Sequence, residues 1–92
     1  MITRLVKMTF EPSRIDEFLK LFSENKESIA GFKGCQHLEL LRDTIDQNVF
    51  FTISRWESIA DLENYRKSEL FNSVWTRTKE LFYSKAEAWT LH

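Results

Sequence analysis

The chain has 92 residues, 42% of them hydrophobic and 14% aromatic, and carries a formal net charge of -1. A chain of that length makes one domain with a thin core, burying roughly 60% of its unfolded surface, and its balanced charge offers no electrostatic reason to bind nucleic acid or an anionic membrane. Cys35 is the only cysteine, which excludes an intrachain disulfide and a cysteine-rich zinc motif and fits a reducing compartment.

In chain order, ITRLVKMTF (2–10) is rich in β-branched and apolar residues and reads as a strand that ends at Pro12. Ser13 followed by Asp16 resembles a capping box with Asp in place of Glu or Gln. Ile15, Phe18, Leu19 and Phe22 then recur at helical spacing, which predicts a helix over 13–29. Gly31 and Gly34 are the only glycines and mark the place where the helix ends and the chain turns back. CQHLELLRD (35–43) reads as a strand, 44–48 as a short connection, and NVFFTISRW (48–56) as the strongest strand in the sequence. Two strands joined by so short a loop imply an antiparallel hairpin.

Ser58 with Asp61 opens a helix over 58–66, and Ser68 begins a further helical run. Leu70, Phe71, Val74, Trp75, Thr78, Leu81 and Phe82 keep one side of that run apolar. KAEAWTL (85–91) is the last strand. The order is the split-βαβ arrangement of an α+β, ferredoxin-like domain over 1–92, with four antiparallel strands and helices on one face. No basic segment precedes a long apolar run at the N-terminus, and no stretch of 18 apolar residues exists. Neither a signal peptide nor a bilayer span is therefore expected, and the reading is of a cytoplasmic protein.

Both faces of the sheet look occupied. On the 48–56 strand one face carries Val49, Phe51, Ile53 and Arg55, and the other carries Phe50, Thr52, Ser54 and Trp56. Helices can cover only one of them, and the other should be polar if water covers it. The second face keeps Phe50 among small and semi-polar groups, so it is expected to pack against a second copy in a homodimer of facing sheets.

The segments GCQHLELLRD (34–43) and FFTISRWESIADLENYRKSELF (50–71), in this order of elements, resemble the antibiotic biosynthesis monooxygenase family of the dimeric α/β-barrel superfamily. The most specific part is the Trp56-Glu57-Ser58 turn, followed by Leu62, Ser68 and Phe71. The resemblance implies a dimeric α/β barrel with a ligand cavity between sheet and helices in each subunit. It also implies one of several chemistries: cofactor-independent oxygenation of quinols and phenols, haem degradation, or no catalysis. A related branch of the superfamily cyclises polyketides. Trp56 matches the strand-end Trp of the phenol-oxidising members, with Thr52 where they carry Asn. Tyr65 roughly matches an aromatic of the haem-degrading members, whose ligating His is replaced here by Trp75. Leu70 stands where many related oxygenases place a His. Haem is therefore not an expected cofactor.

A cofactor-free oxygenase needs a base or hydrogen-bond donors, an apolar aromatic pocket and exclusion of water. His37 is the candidate base. Trp56 can stack on a planar ligand, and Tyr65 can donate to a phenolate. Phe50, Thr52, Arg66, Phe71 and Trp75 are the candidates for binding a small aromatic substrate. Five of these also have a plain structural role to fill: Trp56 and Trp75 as core, Tyr65 as half-buried packing, Arg66 as a solvated side chain, and His37 at a surface or dimer contact. Alternation places Cys35, His37 and Glu39 on one strand face, but its ends lie about 13 Å apart, too far to share one ion. No metal is expected. The leading reading is a monooxygenase of small quinols or phenols; the alternative is a non-catalytic dimeric binding or regulatory module of the same fold, and a polyketide-cyclase-like activity is the third.

Overall fold

The structure, a computed structural model, describes residues 1–92. Strand β1 (Ile2–Phe10) leads through a short 3-10 turn (Pro12–Arg14) into helix α1 (Ile15–Ala30). The hairpin β2 (Cys35–Arg42) and β3 (Val49–Trp56) follows, then helices α2 (Ile59–Arg66) and α3 (Glu69–Lys79), and finally β4 (Phe82–Leu91). The sheet order is β2-β3-β1-β4 with every pair antiparallel, which is the ferredoxin-like α+β arrangement.

Local chemistry explains the element ends. Ser58 and Ser68 cap α2 and α3, their hydroxyls accepting from Asp61 N and Phe71 N at 3.1 Å each. The capping box expected at Ser13 does not form: the tight turn begins at Pro12, so Ser13 lies inside it and caps nothing. α3 stops at Lys79, before Leu81 and Phe82, because Leu81 N closes the last turn on Thr78 O at 3.0 Å and Phe82 pairs with Phe10 as the first residue of β4. Apolar spacing alone could not separate a helical stripe from a chain leaving the helix into the core.

The core lies between the sheet and the helices. Phe10 is fully buried, stacks on Phe18 with centroids 4.1 Å apart, and meets Phe50 edge-on at 5.7 Å. Register then decides the faces. Met8 pairs with Phe50, Val6 with Thr52, Arg4 with Ser54 and Ile2 with Trp56. The Phe50 side of β3 is thus the helix-covered side, the reverse of the assignment read from the sequence. The open side carries Leu5, Phe51, Ile53 and, at the edges, Leu41, Trp89 and Leu91. β3 is apolar on both sides, so alternation could not choose; the aromatic cluster around Phe10 does.

The turn before β2 depends on one glycine. Gly34 has φ 86°, and a Cβ there would collide with the Asp61 side chain of α2. Gly34→Ala therefore combines backbone strain with a clash. The expected outcome is a loss of about 1–3 kcal/mol in urea unfolding, with near-wild-type stability at Gly31→Ala, whose φ is not positive.

Candidate functional site

A cavity of about 250 Å³ opens between the covered face of the sheet and all three helices. Protein interiors hold few voids larger than a water molecule, so a space of this size needs a cause. Part of that cause is β4, where half-buried Ala86 and exposed Ala88 line the cavity with small side chains. An apolar cavity of roughly 150 Å³ accepts benzene, so this one has room for a one- or two-ring aromatic.

Aromatic side chains form the helical wall and its floor. Trp56 is fully buried and stacks on Tyr65 with centroids 4.9 Å apart and planes 27° apart. Tyr65 meets Phe71 edge-on at 5.2 Å, and Phe71 stacks on Trp75 at 5.9 Å. The Trp56 indole N–H is already committed, donating to Ser54 Oγ at 3.0 Å, so this residue offers a ring surface and no free donor.

Polar groups gather at one end. Leu38, Ser54, Arg4 and Thr90 form one row across the sheet, and Leu40, Thr52, Val6 and Ala88 form the next. Arg4 Nη1 donates to Thr90 Oγ1 at 2.7 Å, and Arg66 Nη1 pairs with Glu63 Oε1 at 3.1 Å. Burial, with Arg66 adding to it, holds the Arg4 guanidinium below its usual range, and Glu63 acts the other way. No histidine and no carboxylate lines the cavity.

Burial pushes the Tyr65 hydroxyl up to about 12, with the nearby Cys35 thiol adding to the effect. At neutral pH it is a hydrogen-bond donor and not a base. Its raised value favours the protonated form in the folded protein, so this contribution to stability is intact below pH 10.0 and lost as pH rises toward about 12. Chemical-denaturation midpoints should therefore fall faster over that window in the wild type than in Tyr65→Phe.

Six of the residues singled out in the sequence meet here: Thr52, Trp56, Tyr65, Arg66, Phe71 and Trp75 all line the cavity. Two do not. Phe50 is core, packed between Phe10 and Phe18 with the Arg42 guanidinium 4.8 Å from its ring centroid. His37 lies on the open side of the sheet, opposite Arg55, its Nε2 3.2 Å from Glu39 Oε1. A register shift between Cys35 and His37 breaks the alternation there: Cys35 pairs with Trp56 on the covered side, so Cys35, His37 and Glu39 do not share a face. Arg4, Ser54, Ala86 and Ala88 went unremarked as site residues. Arg4 left a trace, as the one charge in the otherwise apolar series Ile2, Val6, Met8 and Phe10.

The family profile described as antibiotic biosynthesis monooxygenase matches residues 1–74. The chain belongs to the antibiotic biosynthesis monooxygenase family. Among solved structures, it superposes on one solved as an antibiotic biosynthesis monooxygenase with a TM-score of 0.93 at 21% identity, covering 100% of this chain and 97% of that one. A conserved protein from Methanosarcina mazei Go1 gives 0.93 at 17% identity, covering 100% of this chain and 92% of that one. Rv0793 from Mycobacterium tuberculosis gives 0.90 at 15%, covering 99% and 92%. At these identities the likeness is one of fold. No curated protein matches the sequence. No helix of this family member is long and apolar enough to cross a membrane.

Proposed function

We propose that this member of the antibiotic biosynthesis monooxygenase family oxygenates a small electron-rich phenol or quinol in the cavity, without metal, flavin or haem. The observation that carries the reading is the aromatic-walled space of about 250 Å³ between the sheet and the helices. Trp56, Tyr65, Phe71 and Trp75 hold the ring by stacking and edge contacts. The Tyr65 hydroxyl donates to the substrate oxygen, and the positive charge of Arg4 and Arg66 favours its ionised form. Thr52 adds a hydroxyl between the polar row and the apolar rows. An ionised phenol or quinol is the electron-rich species that reacts with O₂, and the apolar walls keep bulk water from the reacting pair. For a quinol the balance is quinol plus O₂ giving hydroxyquinone plus water, with one oxygen atom retained and the other reduced to water. His37 has no part in this scheme, since it lies across the sheet.

A homodimer through the open sheet face belongs to the same proposal. Leu41, Trp89 and Leu91 are 46%, 41% and 46% exposed there, and a second copy would cover them. One observation favours the alternative of a binding module: the cavity contains no histidine or carboxylate to act as general base. Oxygen uptake with a panel of hydroquinones, naphthols and anthrones, without added cofactor, separates the two. The oxygenase reading expects turnover that falls at least about tenfold in Tyr65→Phe, as for loss of a hydrogen-bond donor to a charged oxygen. Saturable binding of the same compounds without uptake would favour the module.

A further inference from the structure

We infer that the ligand of this cavity is an aromatic carboxylic acid, bound with its carboxylate on Arg4 and its ring in the apolar rows beyond. The inference rests on the cavity being an aromatic site, as proposed above, and adds the charge and orientation of what enters it.

Arg4 is the observation that demands an explanation. It projects from the central strand β1, near one end of the sheet's covered face, between Ser54 and Thr90, into a cavity with otherwise few polar groups. A guanidinium cannot shed its charge in a protein and carries five N–H donors in a fixed fork. Within the chain Arg4 gives one hydrogen bond, to the neutral Thr90 hydroxyl, and no carboxylate lies within ion-pair distance of it. Glu63 is already paired with Arg66 at 3.1 Å. Two arginines face a single acid at this end, leaving one positive charge over. No buried side-chain nitrogen or oxygen lacks a partner, so the spare Arg4 donors are accessible, on a residue that lines the cavity. A planar two-oxygen anion matches that fork with two parallel bonds, which a phenol oxygen or an amide cannot do.

The opposite end has no such group. Successive covered positions along β1 pass from Arg4 to Val6 to Met8, beside Ala88 and Ala86 on β4. Arg4 and Met8 are four residues apart, about 13 Å of strand. A two-ring acid lies lengthwise over that span, carboxylate at Arg4 and far ring under Trp75 and Phe22.

The test is a fluorescence titration of the intrinsic tryptophans with 2-naphthoate, with its neutral isostere 2-naphthamide, and with 2-naphthol, at neutral pH. The expected result is that naphthoate binds at least about tenfold more tightly than naphthamide, as a charge-assisted pair requires. Arg4→Gln should bring the ratio of naphthoate to naphthamide affinity close to one, while Arg4→Lys recovers part of the preference. Equal affinities for naphthoate and naphthamide in the wild type would overturn the inference, as would no binding of any probe. That comparison needs no variant, so it stands even if Arg4→Gln fails to fold. The oxygenase reading is scored separately: tight naphthoate binding with no oxygen uptake from hydroxynaphthoates sinks that reading alone, and turnover of neutral quinols with no acid preference sinks this one alone.

Discussion

Ala88→Leu, and more strongly the pair Ala86→Leu and Ala88→Leu, abolishes binding of two-ring aromatics while leaving the fold intact. Both alanines line the cavity from the edge strand β4, Ala86 half-buried and Ala88 exposed. Each substitution adds three carbons to a void of about 250 Å³. Filling a real cavity usually raises stability by about 0.5–2 kcal/mol, whereas overpacking a full core costs about 1–3 kcal/mol. The volume decides between the two: the added side chains enter empty space, so the thermal midpoint should hold or rise as tryptophan quenching by the probe disappears. A variant that unfolds, or one that still binds the probe at wild-type affinity, would show that the ligand space lies elsewhere.

The largest loss of stability is expected at Trp56→Ala, about 3–5 kcal/mol for emptying a large aromatic site. Trp56 is fully buried, stacks on Tyr65, and meets Phe32 edge-on at 6.5 Å. α2 has only eight residues and buries only Leu62 fully, too little to hold an isolated helix. Losing Trp56 also removes the hydrogen bond to the buried Ser54 hydroxyl. Against a typical total of about 5–15 kcal/mol, the loss is a large fraction. Urea unfolding measures it, and hydrogen exchange should show α2 amides opening before those of β1. Trp56→Phe keeps a ring and should cost clearly less. A loss below about 1 kcal/mol for Trp56→Ala would mean that Tyr65 and Phe32 collapse into the space, and that the wall is not rigid.

Strand and helix positions were legible where the pattern was unambiguous: β3 from its unbroken apolar run, α2 and α3 from serines that do cap them. What could not be read were features set by contacts between elements. The covered face of β3 follows from pairing with Met8 and Phe10 and not from alternation, since both sides of the strand are apolar. His37 lies on the open face because it pairs in unbroken register with Arg55, in phase with Glu39 and Leu41; the irregularity between Cys35 and His37 displaces Cys35 to the covered side, and nothing local announces it. The aromatic wall was visible as Trp56, Tyr65, Phe71 and Trp75. The cavity is lined on β4 by two alanines, and small residues give no signal until a third dimension shows what they fail to fill. Arg4 was the one polar mark on an apolar strand face, and it is the residue the site's charge depends on.

The central claim is that the cavity couples an electron-rich aromatic to O₂. The most direct measurement is product analysis after incubating the wild-type protein with a naphthohydroquinone under ¹⁸O₂, without added metal, flavin or haem. The account predicts hydroxynaphthoquinone carrying one labelled oxygen, with the second label in water and hydrogen peroxide no higher than in the protein-free control. Unlabelled naphthoquinone with an equal amount of peroxide, formed at the protein-free rate, would be spontaneous oxidation and would contradict it.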